Sequence, residues 1–202
     1  MLIRVQKIFT IVYFCKMKLY MLLLGCKPKG RFTEQHDTFF GIAESLQALV
    51  PQVKKFWPEA KDAMHIDTWR EVTAVDGYRI SVVPKSNGSL NGQQLFFLNL
   101  GGYKPDDFEE YHYKILTVAN HLAEAVKKGK ASSFYKHYGF SGAVSHIDNK
   151  YGIDVDDTYM VEDMLAEALK GQYQLEITKS ETALEEDQFH IGYLTLNKLA
   201  QQ

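Results

Sequence analysis

The chain has 202 residues, of which 46% are hydrophobic and 24% charged, with a formal net charge of −2. These values fit one larger domain or two small ones and exclude disorder along most of the length. The near-neutral balance gives no general pull toward nucleic acid or anionic lipid, and Cys15 and Cys26 alone form neither a disulfide framework nor a cysteine metal site.

Residues 8–15 (IFTIVYFC) are an apolar run preceded by Arg4 and Lys7. The run is too short to cross a bilayer as a helix, and Lys16 and Lys18 follow it without a clean cleavage site. The expectation is an N-terminal extension over 1–16, a cytoplasmic protein without membrane attachment, and Met17 as an alternative start to Met1. KLYMLLLG (18–25) reads as a buried strand stopped by glycine, and CKPKGR as a turn-rich loop. TFFGIA (38–43) is a second strand. Ser45 caps a helix running from Leu46 to about Trp57, with Pro51 starting a new segment or kinking the first. REVTAVDGYRISVV (70–83) reads as a hairpin, because Asp76-Gly77 suits a tight turn of positive φ. SNGSLNG (86–92) has linker composition.

Beyond the linker, QLFFLNLGG and KILTVA are strands. NHLAEAVKKGKASSFYKHYG (120–139) is a helix with Leu122, Ala125, Val126 and Gly129 inward, ended by Gly139. TYMVEDMLAEALKG (158–171) is a further helix, YQLEIT a strand, and FHIGYLTL (189–196) a possible last strand.

The two halves say similar things in the same order. Aligning 19–50 with 95–126 gives ten identities in 32 positions, among them Leu24/Leu100, Gly25/Gly101, Phe32/Phe108, Glu34/Glu110 and His36/His112. The tripeptide His-Ile-Asp at 65–67 returns at 146–148, and YRISVV (78–83) returns in pattern as YQLEIT (173–178). This ordered recurrence predicts an α+β protein of two tandem related halves. Each half would be a small sheet packed with one or two helices, and the halves would sit about a pseudo-two-fold axis. The expected copies are 17–85 and 93–178, joined by 86–92 and followed by a tail at 179–202. A unit of this size has a marginal core by itself, and packing two matching apolar faces together relieves that.

LGCKPKGRFTEQHDTFFGIAESL and HIDTWREVTAVDGY, with LGGYKPDDFEEYHY and HIDNKYGIDVDDTY in the second half, resemble the bacterial domain-of-unknown-function family numbered 1543. The resemblance covers roughly 17–178 and implies one or two copies per chain. It implies no known activity.

The recurring polar residues are the candidate site: Glu34, His36, His65 and Asp67, with Glu110, His112, His146 and Asp148. Residues i and i+2 of an extended chain share a face, so each Glu-x-His and His-x-Asp pair can act together. Two imidazoles with one or two carboxylates could hold zinc or non-haem iron, and His36, His65 and Asp67 are the candidate metal ligands. The same groups could act as acid and base. Equally, a carboxylate beside a histidine satisfies a buried ring N–H with no ligand present. Asp37 is weaker, since Tyr113 takes its place in the second half. The glycines after the first strand of each half lack the rest of a phosphate-loop signature, so turn geometry explains them better. Cys26 has Gly102 as its counterpart and no assigned histidine partner, which argues against a nucleophile. KKGKASSFYKHY (127–138) reads as a helix end rather than a surface for single-stranded nucleic acid.

No catalytic signature is complete. The leading expectation is a non-enzymatic binding or assembly module whose partner is a small molecule or a protein, with a homo-oligomer allowed. The alternative is a metal-assisted, hydrolase-like enzyme that uses a divalent metal.

Overall fold

β1 (Lys18–Cys26) is apolar on both faces because a layer of protein packs against each side. Leu19 and Met21 point to one face, and Tyr20, Leu22, Leu24 and Cys26 to the other. The computed structural model describes residues 16–86, 92–132, 146–147 and 159–201. It is an α+β protein of several small antiparallel sheets with few helices.

β1 lies between β2 (Gln35–Ala43) and β3 (His65–Glu71), and β11 (His190–Thr195) adds to the outer edge of β3. In a second sheet β6 (Gln94–Tyr103) lies between β7 (Glu110–Ala119) and two short strands, β8 (His146–Ile147) and β9 (Tyr159–Met160). A third sheet has the order β10 (Tyr173–Lys179), β5 (Tyr78–Pro84), β4 (Ala74–Val75).

The inner faces of the first two sheets share one core. Leu19, Phe40 and Ile42 meet Leu95, Phe97, Leu116 and Val118 there, with Ile80, Leu175 and Ile177 from the third sheet. Phe40 and Phe97 pack edge to face, ring centroids 5.6 Å apart. Each such buried side chain contributes about 1.5–3 kcal/mol. On the outer face of the first sheet lie α1 (Val50–Phe56), through Leu49 and Val53, and α5 (Leu196–Leu199), through Leu196 and Leu199. On the outer face of the second sheet lies α2 (Leu122–Lys130), through Ala125. No helix among the described residues is long and apolar enough to cross a membrane.

Three local expectations change. The helix over 158–171 is instead β9, α3 (Val161–Met164) and α4 (Glu167–Lys170). Leu165 and Ala166 between the two helical turns have extended ψ values of 151° and 141°. Val161 and Leu165 both reach the shared core, and Tyr159 and Met160 before them are drawn into pairing with β6. The hairpin over 70–83 is shorter than its sequence suggests, because Arg70 and Glu71 belong to β3 and only β4 and β5 flank the turn. Its turn has positive φ at Asp76 (54°) and Gly77 (75°), the geometry that fits the strand twist. The helix expected over 120–139 is interrupted, since α2 ends at Lys130 with Ala131 as its cap, and Gly139 lies outside the described residues. The linker 87–91 and Asp148 lie outside them too.

Two carboxylates tie distant parts of the chain together. Asp76 Oδ2 accepts from Thr117 Oγ1 at 2.6 Å and from Val118 N at 3.0 Å, which clamps the first turn to β7. Asp187, in the tail leading to β11, accepts from Thr73 N (3.0 Å), Thr73 Oγ1 (2.7 Å) and Ala74 N (3.2 Å). Its side chain is 1% exposed and faces Arg70 Nη1 at 3.8 Å. Replacing Asp187 with Ala leaves two backbone donors and the Arg70 guanidinium without this acceptor. The expected loss in urea unfolding is about 1–3 kcal/mol, with β11 amides losing hydrogen-exchange protection first. An unchanged midpoint would refute this role for the carboxylate.

Candidate functional site

The register of the first sheet builds the site. Gly25 of β1 pairs with His36 on β2 and with His65 on β3, so both imidazoles stand on the same face, one on each side of the glycine. That face is the one carrying Leu19 and Met21, directed at the second sheet. Glu34 precedes β2 and reaches the same place.

Asp67 arrives through an irregularity. Leu24 pairs with Ile66 and Leu23 with Thr68, so Asp67 is the residue left over in a β-bulge. On the other side of β3 the pairing jumps from Ile191 to Leu194, so Gly192 and Tyr193 of β11 together oppose the single residue Asp67. Gly192 has φ 143°, a conformation that suits glycine. Tyr193 is thereby laid over His65, ring centroids 4.1 Å apart. Bulges bend strands and re-aim side chains, and here two adjacent irregularities converge on His65 and Asp67.

The four polar groups alternate around a small ring. His65 Nε2 lies 3.0 Å from Glu34 Oε1 and 3.2 Å from Asp67 Oδ1. His36 Nε2 lies 3.2 Å from Asp67 Oδ2 and 3.8 Å from Glu34 Oε2. Exposure falls steeply across the cluster: 42% for Glu34 and His36, 27% for Asp67 and 3% for His65. Despite the short distances, His65 Nε2, His65 Nδ1 and Asp67 Oδ2 make no hydrogen bond of acceptable geometry. The oxygens therefore flank the His65 ring nitrogen instead of lying along its N–H direction.

Gly25 is required for a steric reason. A Cβ built on it would fall 2.5 Å from Asp67 Oδ2 and closer still to His65 Nε2. Its φ is not positive, so the expectation of a turn glycine is corrected: Gly25 sits inside β1 and matters because two polar side chains occupy the space above it.

The second half repeats part of the pattern. Gly101 of β6 pairs with His112 on β7 and with His146 on β8. His112 and Glu110 line a cleft of about 1140 Å³ between the two sheets, and His36 lines it from the first half. Glu110 accepts from Tyr103 Oη at 2.6 Å. For His146 only the backbone position is described, so the four predicted residues of this half are not seen gathered as the first four are.

Asp37, the weaker candidate, also lines the cleft. Burial among the surrounding protein pushes its carboxyl above the ordinary aspartate range, opposed by the Thr38 N–H and the charge of Lys114. Asp37 Oδ1 accepts that N–H at 2.7 Å. Cys26 is buried and its thiol is pushed up, first by burial and then by the charge of Glu34. That is the opposite of what an active nucleophile needs. Among the described residues, no group of three or more His, Cys, Asp or Glu side chains stands ready-arranged around a metal position. Glu34, His36, His65 and Asp67 have imidazole nitrogens and carboxylate oxygens 3.0–3.8 Å apart. Of the lysine–aromatic stretch 127–138, only 127–132 is described, and there Lys127, Lys128 and Lys130 fall in the last turn of α2.

The family described as Domain of Unknown Function (DUF1543) matches residues 31–82, a segment containing Glu34, His36, His65 and Asp67. This match is to one copy and is narrower than the two-copy resemblance over 17–178. No curated protein matches the sequence. A crystal structure of "a protein Il1583 from Idiomarina loihiensis" is similar at 22% sequence identity and a TM-score of 0.53, over 89% of this chain and 98% of that one, a likeness of fold.

Proposed function

We propose that the chain is a binding module built from two tandem copies of one unit, 17–85 and 93–178, and that it holds a small cationic molecule in the cleft between its sheets. The observation that carries this reading is the cleft itself, which His36 enters from one sheet and His112 from the other. These histidines pair with Gly25 and Gly101 in equivalent registers. The pairing of β5 with β10 supports the two-copy part. Tyr78 meets Lys179 and Pro84 meets Tyr173, and Tyr78 and Tyr173 open the two matching segments. A symmetric pair of like elements produces this reciprocal register.

The charge of the lining supports the ligand class. Asp37, Asp107, Glu109, Glu110 and Asp163 face the cleft against a single lysine, Lys114. Carboxylates walled by protein focus a negative potential and favour an amine or guanidinium group. Phe32 and Phe108, equivalent in the repeat, are fully exposed in the loops just before Glu34 and Glu110. Each could cover an apolar part of a ligand at the rim.

Thermal-shift screening with small amines and guanidinium compounds, followed by calorimetry on the hits, tests the reading. A hit should weaken at least about tenfold in the double variant Glu109→Gln, Asp163→Asn and lose affinity with salt. Stabilisation by anions alone, or hits untouched by the double variant, would overturn it.

Asp37 supplies a second check. Its carboxyl is raised in the folded chain, so the native state binds more protons than the unfolded state once the pH exceeds the ordinary aspartate value. Stability from this group is present below that value and is lost as pH rises through the raised one. Asp37→Asn removes that loss, while the amide oxygen can still accept from Thr38 N. The melting temperature of Asp37→Asn relative to the parent should therefore rise between pH 4 and pH 7. A pH-independent difference, or one of opposite sign, would contradict the account of a raised Asp37 carboxyl.

A further inference from the structure

We infer that Glu34, His36, His65 and Asp67 form a binding site for a divalent transition-metal ion, with zinc as the probe of choice. The site shares His36 with the cleft but does not depend on the cleft's cationic ligand.

Spacing is the first argument. Donors about 2.0–2.1 Å from a tetrahedral zinc are about 3.3 Å from one another. The four imidazole–carboxylate separations here are 3.0, 3.2, 3.2 and 3.8 Å. Each imidazole contacts both carboxylates, through a different oxygen in each case: His65 faces Glu34 Oε1 and Asp67 Oδ1, and His36 faces Glu34 Oε2 and Asp67 Oδ2.

The second argument is the unsatisfied nitrogen. His65 is 3% exposed, and its Nε2 is aimed into the cluster without a hydrogen bond, beside an equally unsatisfied Asp67 Oδ2. A structural histidine–carboxylate pair would place an oxygen on the N–H axis, since an unmade bond to a buried polar atom costs about 1–3 kcal/mol. Oxygens that flank the nitrogen leave its lone-pair direction for an ion bonded to all of them.

The chemistry agrees. Two carboxylates and two neutral imidazoles carry a charge of −2, which balances a divalent cation. Mixed imidazole and carboxylate donors suit zinc, iron or manganese more than magnesium or calcium. Gly25 keeps the floor of the site open, and Tyr193 lies against the His65 ring.

The donors do not yet point at one position. Loading the site asks only the outer members to move. Glu34 and His36 are each 42% exposed and can turn their donor atoms inward, while His65 and Asp67 are held by the bulge and by Tyr193.

The test is equilibrium dialysis of the untagged full chain, stripped with chelator, against ~10 µM zinc, a concentration that reads micromolar affinity. About one zinc per chain is expected. His36→Ala and Glu34→Gln, which change exposed positions, should each weaken binding at least about tenfold while the zinc-free melting temperature stays constant. His112→Ala, in the second half, should leave binding unchanged. Substoichiometric zinc, unaltered affinity in both exposed variants, or loss of binding in His112→Ala would each overturn the assignment.

Discussion

On the central strand of the first sheet, Gly25 presents a hydrogen where any other residue would present a carbon, and the His65 and Asp67 side chains fill that space. The arrangement of the site depends on this contact. Pairing of Gly25 with both His36 and His65 fixes the two imidazoles at one level of the sheet. The bulge at Asp67 then delivers a carboxylate to the same level, and the matching irregularity of β11 brings Tyr193 over His65. A side chain at position 25 would push these groups apart, and strand geometry alone could not return them. The polar cluster is thus a consequence of register and of one missing methyl group.

The surrounding fold holds that register. β1 is buried on both faces, between the helices on one side and the shared core on the other, so a one-residue slip would exchange Leu19 and Met21 with Tyr20 and Leu22. The two sheets are tied by Phe40 against Phe97, and the Asp76 carboxylate ties the β4–β5 turn of the third sheet to β7. The chain also crosses between its halves. β10 pairs with β5, and β11 returns from the far end of the sequence to the edge of β3. These long-range pairings tie distant parts of the chain into shared sheets.

Much of this was legible in residues alone. The apolar runs 18–25 and 38–43 marked β1 and β2, and Asp76-Gly77 announced the turn with positive φ. Glu34, His36, His65 and Asp67 could be named because i, i+2 spacing puts each pair on one face, and the structure brings all four together. The rest depends on long-range contacts that local pattern does not encode. Nothing near Asp67 marks a bulge, because the surplus residue appears only once Leu23 and Leu24 have chosen their partners. Asp187 reads as one acid in an acidic segment, yet it is buried by Thr73 and Arg70, which lie more than a hundred positions away. The 158–171 segment has helical composition, yet Tyr159 and Met160 pair with β6 and Leu165 and Ala166 are extended, a long-range contact and a break that composition does not encode.

The account joins two polar features of one inner face: a compact donor cluster over Gly25 and a wider acidic cleft between the sheets, with His36 common to both. Its central claim is that the cluster converges on a ligand and is not a closed set of mutual contacts. X-ray absorption at the zinc edge, measured on the zinc-loaded full chain, addresses that claim most directly. The account predicts a first shell of nitrogen and oxygen at about 2.0–2.1 Å with the outer-shell signature of two imidazoles. A shell containing sulfur, or one of water oxygens without imidazole scattering, would contradict it.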